Sequence, residues 1–173
     1  MAITRRTFLR ACALPVLAGP VLAGVVAPAR ASTSLDDPER PVLAVSRNGE
    51  RLAALSRSDL AAMPQTRLFT QTPWNNEPVE YEGPSVGVFL SRFSGEEEES
   101  LRLLALNDYL VTAKAGMLIE AGAILAVKEN GAFMPTSSKG PVFVMFPFDA
   151  EPRLQSQRYY SRAVWQLVAI ELT

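Results

Sequence analysis

The sequence predicts a strand-rich α+β domain, and three observations carry that prediction. Short apolar runs closed by turn residues outnumber segments with helical spacing. Two Asn-Gly pairs, Asn48-Gly49 and Asn130-Gly131, sit beside such runs and supply the φ > 0 residues of tight turns. The connections are mostly too short for repeated crossover helices, which disfavours a regular βαβ sheet.

The elements follow in order. Val42–Val45 and Leu52–Leu55 flank Asn48-Gly49 and read as a β-hairpin. Ser58 caps a short helical turn that stops at Pro64. Arg67–Thr72 suits a strand, Pro73–Pro78 a loop, and Val79–Tyr81 a short strand closed by Gly83. Pro84 sits where a helix starts, with Val86, Phe89, Leu90 and Phe93 at helical spacing up to Gly95. Glu96–Glu99 is a solvated acidic loop, since adjacent like charges do not converge on one site. Strands are expected at Leu101–Leu106, Ile124–Val127, Val142–Phe146 and Val164–Ile170.

The first residues read as an address. Arg5-Arg6 precede Phe8-Leu9, a weakly apolar run follows from Ala11 to Ala27, and Ala29-Arg30-Ala31 offers a cleavage site before Ser32. This is a twin-arginine export signal over 1–31. It is too short and too broken by Pro and Gly for a bilayer span of roughly 20 residues. A flexible tether is expected over 32–40, then one domain over 41–173. The expected location is periplasmic, with no membrane anchor after cleavage.

Four of the 17 basic residues and none of the 18 acidic ones lie in the signal, which leaves 13 against 18, a net charge of −5. A mildly acidic domain with dispersed cations argues against a nucleic-acid partner. The single cysteine, Cys12, is in the signal, and there is no histidine. Thiol nucleophiles, Ser-His-Asp catalysis and the usual zinc sites are thereby excluded from the mature domain. No metal site is expected.

Several phrases then line up: Trp74 after a strand, Tyr81-Glu82-Gly83-Pro84 before a helix, and Ala105-Leu106-Asn107-Asp108-Tyr109. Next come Ile124-Leu125-Ala126 with Asn130-Gly131, Lys139-Gly140-Pro141, and Val164-Trp165-Gln166-Leu167. The succession resembles the molybdopterin-binding domain of the sulfite oxidase family, in its short bacterial versions, from about Pro41 to Thr173. The resemblance implies that fold and a molybdenum-pterin ancestry. In catalytic members a cysteine thiolate just before the strand and helix matching Tyr81–Leu90 binds molybdenum. Here that segment is Thr70-Gln71-Thr72-Pro73-Trp74, and a hydroxyl is a poor soft-metal ligand.

On that resemblance Thr72, Trp74 and Asn75 lie at the edge of the lost metal ligand. Asn107, Asp108 and Tyr109 follow a strand end, where loops carry function. Lys139 beside Gly140 is placed to meet an anion, and Arg158-Tyr159-Tyr160-Ser161-Arg162 offers two guanidinium groups and two phenols. These eight residues (Thr72, Trp74, Asn75, Asn107, Asp108, Tyr109, Lys139 and Arg158) are the candidate ligand-binding set, and no catalytic residue is assigned. The expected function is a non-catalytic binding module for a small ligand or a periplasmic protein, without cofactor. The alternative is a molybdopterin oxidoreductase lacking a protein thiolate. Hydrolysis by paired carboxylates among Asp108, Asp149 and Glu151 ranks last.

Overall fold

The computed structural model describes residues 34–97 and 99–173. The expected export signal, its expected cleavage site and Glu98 of the acidic run lie outside the described residues.

The chain opens with the expected hairpin. Strands β1 (Pro41–Arg47) and β2 (Glu50–Ser56) pair antiparallel around Asn48-Gly49, whose φ angles are 49° and 84°. Helix α1 (Arg57–Ala61) begins two residues earlier than Ser58 suggests. Ser56 Oγ accepts from Asp59 N–H (3.0 Å), and Asp59 Oδ2 accepts from Ser56 N–H (2.8 Å). That reciprocal box outcompetes Ser58 as the cap. The preceding segment, expected as a tether, lies against the domain. Asp36 accepts from the Thr136 N–H (2.7 Å) and hydroxyl (2.9 Å), and the buried Arg57 guanidinium donates to the Asp36 and Met134 carbonyls.

Strands β3 (Gln65–Thr72) and β4 (Asn75–Pro84) form a second hairpin, so the loop expected over 73–78 shrinks to Pro73-Trp74. Its prolines and asparagines read as loop chemistry, and the pairing with β3 overrides them. Pro78 is tolerated because its missing N–H lies on the side where Glu80 N–H reaches Asn130, past the end of the next strand. Pro84 belongs to β4, and helix α2 (Val86–Ser91) starts after Ser85, whose Oγ accepts from Val88 N–H (3.2 Å).

Strands β5 (Ser100–Ala105) and β6 (Leu110–Lys114) make a third hairpin, followed by helix α3 (Ala115–Glu120). The sequence reading leaves 110–123 unassigned. Strand β7 (Ile124–Ala126) leads through β8 (Lys128–Glu129) and β9 (Ala132–Phe133), which turn at Asn130-Gly131. Strand β10 (Phe143–Met145) pairs with β7. A short 3-10 turn (Pro152–Leu154) and helix α4 (Gln157–Tyr160) precede the last strand, β11 (Leu167–Leu172). That strand starts later than Val164. Gln166 has φ 50°, and its N–H bonds Lys139 O (2.9 Å) instead of a sheet neighbour.

Three sheets result: β2-β1-β11-β5-β6, β3-β4-β8-β9, and β10-β7. Strand β11 runs parallel to β1 and antiparallel to β5. The five-stranded sheet buries Leu43, Val45, Leu101, Leu103, Ile170 and Leu172 on one face. Tyr81, Phe89, Phe143, Phe146 and Phe148 complete the core at 0–1% exposure, each ring contributing roughly 1.5–3 kcal/mol by burial. Gly83 lets β4 cross β7, since a Cβ there would lie 2.0 Å from Leu125 O. Among the described residues no helix is long and apolar enough to cross a membrane.

Candidate functional site

The Pro73-Trp74 turn projects Trp74 into an aromatic cluster. Its ring meets Trp165 edge-to-face at 5.2 Å and 88°, and lies 6.2–6.3 Å from Phe143, Phe148 and Tyr160. The bend at Gln166 holds Trp165 out of the sheet. Both tryptophans stay more than a third exposed, at 38% and 39%. Each has a polar N–H on a large apolar body, the combination that suits a wet rim over a dry wall.

Beside this pair opens a cleft of about 220 Å³. Its walls include Trp74, Trp165, Tyr160, Tyr109, Asn107 and Gln166, and among the described residues no Asp, Glu, Lys or Arg lines it. The polar groups are positioned by local bonds. Asn107 Oδ1 accepts from Tyr109 N–H (3.2 Å) in an Asx turn, and Tyr109 donates its hydroxyl to Ser161 O (2.8 Å). Gln166 Nε2 donates to Thr136 O (2.6 Å). The β5–β6 turn and the end of α4 are thus tied together across the cleft.

Of the predicted residues, Trp74, Asn107 and Tyr109 come together here. Asp108, one residue away, sits in the turn with φ 64° and its N–H on Ala105 O (3.1 Å), outside the lining. Thr72 lines a neighbouring hollow of about 190 Å³ on the other side of Tyr160, with Gln71, Asp149 and Gln155. Its Oγ1 accepts from Trp74 N–H (3.2 Å). Asp149 Oδ2 accepts from Gln71 N–H (2.6 Å).

Asn75 and Lys139 meet elsewhere, over Tyr81. Asn75 Nδ2 donates to the Tyr81 hydroxyl (3.1 Å), and Lys139 Nζ reaches Asn75 Oδ1 (3.3 Å), Tyr81 Oη (3.4 Å) and Glu129 (3.9 Å). Burial, reinforced by the Glu129 charge and opposed by the Asn75 bond, pushes the Tyr81 phenol up to about 12. Arg158 lies on exposed α4 with its guanidinium 5.9 Å from the Tyr159 ring. Arg162 turns back onto the Arg158 carbonyl (2.6 Å), so the two arginines do not open a shared anion site.

Five other cations are paired with carboxylates. Arg47, Arg67, Arg102, Lys128 and Arg153 each bridge a carboxylate, with Glu82 shared between Arg67 (3.0 Å) and Lys128 (2.9 Å). The Lys128 bond and charge, with Arg67 behind them, hold the Glu82 carboxyl below its usual range against the opposing effect of burial. Among the described residues no group of three acidic, cysteine or histidine side chains converges as a metal site. The sequence reading missed Trp165 and Gln166 as members of the cleft, whereas the Tyr160 phenol it offered does line it. Trp165-Gln166 reads as strand by its apolar neighbours, and only the positive φ at Gln166 turns it into wall.

This architecture is a strand-rich α+β domain, the class expected from the sequence. The fold is similar to the crystal structure of the sulfane dehydrogenase SoxCD from Paracoccus pantotrophus, with a TM-score of 0.56 at 13% identity. The match covers 79% of this chain and 39% of that chain, and at this identity the likeness is one of fold. No family profile and no curated protein sequence matches the chain.

Proposed function

We propose that the protein is a non-catalytic binding module on a sulfite-oxidase-type scaffold. It acts after export to the periplasm and holds a small ligand in the Trp74–Trp165 cleft. The observation that carries this reading is the convergence of both tryptophans of the chain, with Asn107 and Gln166, on one uncharged cleft.

The residues present do not fit a molybdenum-pterin cofactor. The segment where the resemblance puts a thiolate, Thr70–Trp74, offers the Thr72 hydroxyl, a hard oxygen ligand already accepting from Trp74 N–H. The two hollows flanking Tyr160 measure about 220 and 190 Å³, below the roughly 300–1,000 Å³ of clefts that enclose larger ligands. Lys139, the candidate for a pyrophosphate, is held by Asn75, Tyr81 and Glu129.

The fold likeness to SoxCD favours the second reading, a molybdopterin oxidoreductase without a protein thiolate. One experiment separates the two. The precursor is expressed with its signal in a host that makes molybdenum cofactor, and molybdenum and pterin are assayed in the protein recovered from the periplasm. Absence of both is the expected result. Near-stoichiometric amounts of both would overturn the binding-module reading.

A further inference from the structure

Resting on that reading of the cleft, we infer that its ligand is an uncharged ring-shaped molecule whose edge carries a hydrogen-bond donor and an acceptor. The absence of formal charge in the walls is the first reason. A charged ligand would leave its hydration shell there with no counter-charge to meet it. The nearest cations do not supply one. Arg162 turns back through Nη1 onto the Arg158 carbonyl and the Ser161 hydroxyl, and Lys139 sits in its own cluster over Tyr81.

Shape and polarity complete the class. The indoles of Trp74 and Trp165 meet at 88°, so a flat ring lying along one wall presents its rim to the other. Each amide has one end committed. Asn107 uses Oδ1 on Tyr109 N–H, which leaves Nδ2 as a donor. Gln166 uses Nε2 on Thr136 O, which leaves Oε1 as an acceptor. The complementary molecule therefore offers an acceptor to Asn107 and a donor to Gln166, as the hydroxyls of a neutral sugar ring or the carboxamide of a heteroaromatic ring both do.

The test uses two charge series on nearly constant shapes: nicotinamide, nicotinate and 1-methylnicotinamide, and glucose, glucuronate and glucosamine. The chain has two tryptophans, both at the cleft, so its two indole N–H peaks in a ¹⁵N spectrum report on this site. In at least one series the neutral member should move both peaks and bind at least about tenfold tighter than either charged relative. The series that responds distinguishes a sugar from a heteroaromatic ligand. Asn107→Asp should abolish that preference by replacing a donor with a charge.

An anion or cation that binds as tightly as its neutral relative, at the same peaks, would overturn the ligand class and leave the cleft standing. The class also falls if no compound moves any peak. Shifts confined to other residues, with both indole peaks unmoved, would sink the cleft itself as the site.

Discussion

Replacing Gly83 by alanine tests the strand crossing that frames the site. A Cβ at this position would lie 2.0 Å from Leu125 O, 2.6 Å from Leu125 C and 2.8 Å from Ala126 Cα. An ordinary carbon–oxygen approach is about 3.3 Å, so β4 and β7 must part by roughly 1.3 Å. The atoms met are backbone, so no rotamer change relieves the clash. Overpacking of this size costs about 1–3 kcal/mol, and a rigid neighbour places Gly83→Ala at the upper end. At about 3–4 °C per kcal/mol for a domain of this length, the melting temperature should fall by about 10 °C. The reference is Gly131→Ala, where no atom lies within 4 Å but φ is 79°. It carries only the left-handed backbone cost of about 1 kcal/mol, or about 3–4 °C. Thermal melts followed by far-ultraviolet circular dichroism give both numbers. A Gly83→Ala melt within the Gly131→Ala range would refute the crossing geometry.

Other outcomes follow from the same contacts. Asp108→Gly should hold or slightly raise stability at its φ of 64°, whereas Asp108→Ala costs about 1 kcal/mol in denaturant titration. Ligand occupancy per folded molecule should be unchanged in both Asp108 variants. Trp165→Ala should abolish cleft binding, read by calorimetry, while Gln155→Ala in the neighbouring hollow leaves it intact. Glu82 titrates below its ordinary value of 4.5 in the fold, so its stabilisation is present above that value and is lost as pH falls through the folded value. Glu82→Gln should therefore flatten the acid limb of the stability curve. The Tyr81 phenol, raised from 10.0 to about 12, keeps its proton longer folded than unfolded, so its contribution is lost as pH rises above 10. An ultraviolet titration should show one phenol ionising late, and Tyr81→Phe should remove that step.

The hairpin at Asn48-Gly49, the β7 run and the β10 run were legible because turn chemistry and apolar content agree there. The first half of β4 was not, since Pro73, Asn75, Asn76 and Pro78 carry loop signals that only pairing with β3 overrules. Nor was the helix cap at Ser56, which competes with an equally good Ser58 two residues on. For the site, Trp74, Asn107 and Tyr109 were found because a turn after a strand is a readable feature. Of the two adjacent phenols offered, burial of Tyr159 leaves Tyr160 to the cleft, and Gln166 was hidden in an apolar run whose backbone bends at that residue.

The placement of β11 has a consequence for assembly. The hairpins β1–β2 and β5–β6 are local in sequence, yet they share no edge until residues 167–172 slide between them. A nascent chain must therefore hold two unsatisfied strand edges open until residues 167–172 have left the ribosome, an interval in which other strands compete for the slot. Six residues, Leu-Val-Ala-Ile-Glu-Leu, decide when the molecule closes. The same hexapeptide supplied in trans to a chain ending at Gln166 is the piece that would complete the sheet by strand addition.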